Sequence, residues 1–199
     1  MAQEASTVTG SQAEASTENC INGHAYVDLG LSVKWATCNV GASSPADYGD
    51  YFAWGETMTK DLYNKDNSVT FKKKKYNHDI GGDDIYDAAT ANWGSAWRMP
   101  TEAEFRELKE QCTWKWTTQD DHHGYKVTSK KNGNAIFLPA AGFCSSRWIL
   151  GRECDGSYWG SSPYGSDSHK ACELSLTDVW FHVSSNDRFM GHSVRPVSK

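Results

Sequence analysis

Trp97-Arg-Met-Pro-Thr-Glu-Ala-Glu-Phe105 is the stretch on which the reading of this chain turns. Pro100 bars any helix from running through from Trp97. Thr101 and Glu104 are spaced as a capping box: the threonine hydroxyl accepts from a first-turn amide, and the glutamate reaches back to the cap amide. Phe105, Leu108 and Cys112 then fall on one face at helical spacing, which predicts a helix ending near Cys112. Upstream, Asp84 to Trp93 reads as another short helix. Downstream the period changes. Tyr125-Lys-Val-Thr128 and Ala135-Ile-Phe-Leu138 flank Lys131-Asn-Gly-Asn134, a hairpin signal. His24 to Leu29 alternates as a first strand, Val33 to Cys38 as a second, and Tyr51-Phe-Ala-Trp54 is compact and aromatic, as core is. Residues 140–157 are expected to be a loop, and His122-His123 a solvated turn before Gly124.

The last forty residues carry the most information. Cys172, Leu174 and Leu176 alternate with Glu173, Ser175 and Thr177, and Val179, Phe181 and Val183 alternate with Trp180 and His182. The pattern predicts two short strands around Thr177-Asp178 with the first of each set inward. Glu173, Ser175, Thr177, Trp180 and His182 then face outward. An outward tryptophan leaves a large ring wet unless something covers it. Two readings stand. Trp180 belongs to a recognition surface with Ser184-Ser-Asn-Asp187 and Phe189-Met190, or it packs beneath another loop. Ser193-Val-Arg-Pro-Val197 is expected to close the chain as a strand paired with the first one.

Composition bounds the function. The chain has 199 residues, 38% hydrophobic and 23% charged, which fits one globular domain plus a tail. A formal charge of −5 argues against nucleic acid as the main partner. The sequence has no apolar run long enough to span a bilayer, and Met1-Ala-Gln-Glu4 carries no signal-peptide pattern. Residues 1–21 have little to bury and read as a disordered tail or linker, with the domain at 22–199. Nine tryptophans and 17 glycines point to a loop-rich fold built on large rings. Six cysteines without a C-x-x-C pair give no support for zinc, and disulfides or buried free thiols both remain open. Lys72 to Lys75 read as a solvated loop or edge strand. His78-Asp-Ile-Gly-Gly-Asp-Asp84 lacks the spacing of a calcium loop. No catalytic residue, metal or cofactor is expected.

Beyond periodicity, Trp97 to Phe105 resembles the signature of the formylglycine-generating-enzyme type of C-type lectin-like domain. The resemblance gains specificity from Asp28-Leu-Gly-Leu31, Lys34-Trp-Ala-Thr-Cys-Asn-Val40, Gly49-Asp-Tyr-Phe-Ala-Trp-Gly-Glu56, Phe137-Leu-Pro-Ala-Ala-Gly142, Tyr158-Trp-Gly-Ser-Ser162 and Gly191-His-Ser-Val-Arg-Pro-Val197. It covers about residues 22–198. It implies an α+β, C-type lectin-like fold: two short helices, small antiparallel sheets, and paired N- and C-terminal strands. Similar domains include bacterial surface and phage proteins, several of them the variable proteins of diversity-generating retroelements. In those the C-terminal part is a ligand-binding face in which framework positions alternate with diversified ones.

Carried over residue by residue, the framework is Trp159, Leu174, Leu176, Phe181, Val183, Arg188, Gly191, Val194 and Arg195. The ligand-binding set is Tyr164, Ser166, Asp167, His169, Ser175, Thr177, Asp178, Trp180, His182, Ser184, Asn186, Asp187, Phe189 and His192. Diversification that replaces adenines in asparagine codons does not yield Trp180, Met190 or Glu173, so a non-diversified paralogous surface domain is the companion expectation.

The implied function is non-catalytic recognition of a protein or glycan ligand from the bacterial cell surface or a phage particle. The tail would serve for attachment to a pilus, an outer-membrane anchor or a phage fibre, with no membrane insertion by the domain itself. Two alternatives stand beside it. A calcium-dependent lectin would use Asn186-Asp187, but Ser185 precedes them and no Glu-Pro-Asn partner exists. A formylglycine-generating-type enzyme needs a reactive cysteine pair, and Cys172 stands alone.

Overall fold

The computed structural model describes residues 19–199, so most of the expected tail lies outside the described residues. Four antiparallel sheets and two helices make an α+β architecture. The first strands are β1 (Cys20–Ile21), β2 (His24–Val27) and β3 (Lys34–Ala36). Strand pairing thus begins at Cys20, two residues ahead of the expected domain start. Helices α1 (Ala88–Trp93) and α2 (Glu102–Gln111) follow a long irregular stretch broken by one 3-10 turn, Lys74–Tyr76. Asp87 caps α1 by accepting from Ala89 and Thr90 amides. On α2 the Thr101–Glu104 capping box is complete, and Glu104 also holds Arg98. Phe105 and Leu108 are its buried face.

Cys112 is the C-cap of α2 and opens β4 (Cys112–Gln119), which pairs with β5 (His122–Ser129), itself paired with β6 (Ala135–Pro139). His122 and His123 are therefore strand residues. The turn is Asp120-Asp121, both at positive φ, the geometry of a two-residue hairpin turn. The expected loop at 140–157 contains a further hairpin, β7 (Phe143–Ser145) with β8 (Trp148–Leu150). Gly142 sets its entry: at φ +68 a Cβ there would stand 2.1 Å from the Leu150 carbonyl oxygen. Trp148, Ile149 and Leu150 are all exposed, so this strand shows no alternation for a sequence pattern to reveal.

The central sheet is β9 (Asp155–Tyr164), β10 (Asp167–Thr177) and β11 (Phe181–Asp187), in the order β11-β10-β9. Both of its faces carry core. Tyr158, Leu174 and Leu176 join Trp35, Phe105, Leu108 and Val127 on one side. Trp159 and Ala171 join Phe52, Trp54, Met99 and Val194 on the other. Strand β12 (Val197–Ser198) pairs with β3, giving the sheet order β1-β2-β3-β12. The closing strand thus sits beside the second predicted strand rather than the first.

Candidate functional site

The C-terminal hairpin forms as its alternation requires. Ser175 faces His182 and Glu173 faces Ser184 across the β10–β11 ladder. Thr177 donates its amide to the Trp180 carbonyl at 2.8 Å, closing a two-residue turn at Asp178-Val179. Val179 therefore stands at the hairpin tip, 78% exposed, and not inward. The turn overrides the strand period there. Trp180 is 42% exposed, with its ring 4.5 Å from that of His182.

The predicted ligand-binding residues divide into two groups. Tyr164, Ser166, Asp167 and His169 lie at the β9–β10 turn, and Asp187 and Phe189 join them, since Asp187 faces Lys170 and the Arg188 amide donates to the His169 carbonyl. Phe71 binds this end together, 5.2 Å from both the His169 and Phe189 rings. His169 also donates its amide to Asp167 at 2.9 Å, which holds that carboxyl below its usual range. Ser175, Thr177, Asp178, Trp180 and His182 gather at the opposite end of β10. Ten strand steps separate Asp167 from Thr177, at most about 33 Å at the usual rise, since the strand is irregular between Asp167 and Glu173. Ser184 and Asn186 lie between. The Asn186 amide nitrogen reaches Glu173 at 3.4 Å, and its oxygen accepts from Asp187.

Besides Val179, two further residues do not sit where the sequence placed them. His192 is fully buried, stacked on Trp159 with ring centroids 3.9 Å apart, and does not reach the surface. Glu173 is also buried. It is the cross-strand partner of Trp159, which packs with Phe52, Trp54 and Met99 and carries the His192 ring, and polarity in the sequence does not register such a cover. The Glu173 Oε2 and His192 Nδ1 atoms are 3.4 Å apart, without hydrogen-bond geometry, and neither imidazole nitrogen has a partner among the described residues. Burial pushes His192 down to about 3 and Glu173 upward, the latter opposed by the Asn186 contact.

Around this face the arginines are anchored inward. Arg188 donates to the Lys170 carbonyl and to Asn77, and its guanidinium lies 4.4 Å from the Trp54 ring centroid. Arg195 donates to Asn39 and to the Ala36 and Thr37 carbonyls. All six cysteines are free. Burial pushes the Cys172 thiol up to about 12, and Cys112 and Cys144 to about 11, so each is a thiol, not a thiolate, near neutrality. Among the described residues, no group of three or more His, Cys, Asp or Glu side chains is arranged to hold a metal ion.

No family model, curated protein or solved structure matches this chain.

A feature that residue patterns did not single out adjoins the Trp180 end. A cleft of about 540 Å³ runs from the β10–β11 tip to β4, β5 and the start of β9. Trp116, His123, Glu153, Cys154, Asp155, Thr177, Asp178, Val179 and Trp180 line it. Glu153 is fixed in its wall by the His123 amide at 2.7 Å, the His122 imidazole at 2.9 Å and the Tyr48 hydroxyl. The Cys112-Thr-Trp-Lys-Trp116 alternation was the available signal for Trp116. Nothing in the sequence linked it to residue 180.

Proposed function

We propose that this chain is a non-catalytic recognition domain of C-type lectin-like fold, of the formylglycine-generating-enzyme type, whose β9–β10–β11 sheet displays changeable side chains on a fixed scaffold. One observation carries the reading. Within one three-stranded sheet and its β10–β11 turn, Leu174, Leu176 and Trp159 are wholly buried, while Thr177, Asp178, Trp180 and His182 reach solvent. Substitution at the latter positions costs little stability, as surface sites generally do. A surface of this composition, tryptophan and tyrosine among serine, asparagine, aspartate and histidine, suits binding through a few aromatic anchors.

The two-group arrangement narrows the partner. The far ends of the two groups lie up to about 33 Å apart along a strand, more than one small molecule covers if both ends are engaged. A macromolecular ligand, a protein or a long glycan on another surface, spans them. The domain would act at the bacterial cell surface or on a phage particle. Its C-terminal positions would be diversified by a retroelement, or in the paralogous case fixed.

Deep sequencing of codons 164–192 in a clonal culture of the host tests this. Substitutions at Tyr164, Ser175, Thr177 and His182 that spare Leu174, Phe181 and Gly191 are expected of a diversified receptor. An invariant segment assigns a dedicated adhesin. Substitutions that fall on buried and exposed positions alike would sink the scaffold-and-face reading.

A further inference from the structure

The cleft beside Trp180 has a chemistry of its own. Its lining comes from separate parts of the chain: Trp116 and His123 from β4 and β5, Glu153, Cys154 and Asp155 from the entry to β9, and Thr177, Asp178, Val179 and Trp180 from the β10–β11 tip. Two indoles and three carboxylates line it, and no lysine or arginine is among the lining residues. Indole faces attract cations through their quadrupole, more strongly than any other ring. Carboxylates attract cations by charge, and between low-dielectric walls the field is concentrated. Both kinds of group select the same ligand sign and disfavour an anion. Glu153 is held in place by three donors, so this carboxylate is ordered before any ligand arrives.

We propose that this cleft receives an arginine or lysine side chain of a protein ligand. The inference rests on the reading of the C-terminal sheet as a protein-recognition face, and it assigns that face a cationic anchor. Arginine suits the cleft better than lysine, because a planar guanidinium stacks on indole and meets a carboxylate with two parallel hydrogen bonds. Trp116, Glu153 and Asp155 lie outside the segment 164–192, and Thr177, Asp178 and Trp180 lie within it. The domain would therefore keep a constant preference for a basic anchor while the residues of the hairpin tip tune its surroundings.

The test is a titration of the 15N-labelled full chain with acetyl-Arg-Arg-Arg-amide, with a tri-glutamate peptide and maltotriose as matched probes. The Trp116 and Trp180 indole N–H signals, assigned with Trp116→Phe and Trp180→Phe, are the readout. Expected is a saturable shift of both signals with the tri-arginine peptide alone, weakening with added salt. Asp155→Asn with Asp178→Asn, both at partly or fully exposed positions, is expected to weaken binding about tenfold while the remaining spectrum stays native. No shift up to about 10 mM peptide, a concentration that reports even very weak binding, overturns the proposal. So does an equal response to tri-glutamate or maltotriose, or tri-arginine binding that the double variant leaves unchanged. A negative titration removes the cationic anchor only. The recognition face itself stands or falls on the pattern of codon substitution.

Discussion

His192→Phe should flatten the acid sensitivity of this domain. His192 is buried against Trp159 with both ring nitrogens unpartnered, and burial holds it down to about 3 from an ordinary value of 6.5. The folded protein therefore keeps this imidazole neutral while the unfolded chain protonates it below 6.5. A base with a depressed folded value contributes stability that is present above 6.5 and is lost as the pH falls toward 3. One unit corresponds to about 1.4 kcal/mol, and between pH 7 and pH 5 the unfolded chain gains most of one proton that the folded chain refuses. The loss over that interval is about 2 kcal/mol. Glu173 works in the opposite direction. Its raised value favours the folded state at low pH and loses that contribution as pH rises, and the carboxyl is present in both proteins. Urea unfolding followed by tryptophan fluorescence, at pH 7 and pH 5 and equal ionic strength, measures the difference. The wild type should lose about 2 kcal/mol more than His192→Phe on going to pH 5. At pH 7 the variant should be within about 1 kcal/mol of the wild type, because the ring stack is retained and two desolvated nitrogens are removed. Equal losses in the two proteins would refute the assignment of acid sensitivity to this buried imidazole.

Three further outcomes follow from the same contacts. Gly142→Ala should cost about 3 kcal/mol or more, or prevent folding, since its Cβ would collide with the Leu150 carbonyl at positive φ; thermal unfolding of the soluble fraction reads this. Trp180→Ala should leave the melting temperature nearly unchanged, whereas Phe189→Ala, which strips a ring from Phe71, should lower stability by about 1 to 2 kcal/mol. Equal losses in calorimetry would mean that Trp180 is core. A thiol reagent applied to the native protein should modify Cys20 and Cys154 rapidly and Cys38 more slowly, with Cys112, Cys144 and Cys172 reacting only on unfolding; mass spectrometry of the labelled peptides identifies the order.

Local chemistry made much of the fold legible. The Thr101–Glu104 box, the Asn132-Gly133 turn and the alternation at 172–176 each specify structure within a few residues, and each formed. What was not legible depends on segments far apart in the chain. Glu173 reads as a surface carboxylate until its partner Trp159 is seen packed against Phe52, Trp54 and His192. His192 belongs to a stretch of buried and exposed positions that only packing can sort. Trp148-Ile-Leu150 looks like loop because all three face solvent, and a strand with no buried face has no period. At the candidate site, Trp180 and His182 were readable from their own strand. Trp116, Glu153 and Asp155 were not, because the cleft they share with Trp180 is assembled between hairpins whose sequences carry no mark of each other.

Strand β12 has a consequence for how the protein is made. Val197 exchanges both backbone bonds with Arg98, at 3.0 and 2.9 Å, and Pro196 accepts from Ala36. Residues near positions 36 and 98 thus wait for the segment after 193 before their hydrogen bonds are complete. On a ribosome the body of the domain is synthesised first but is sealed last, after β9, β10 and β11 have all been made. A chain that ends or changes frame before Arg195 lacks both Arg195 and Val197, which leaves Trp35 and Arg98 without their closing partners and open to proteolysis.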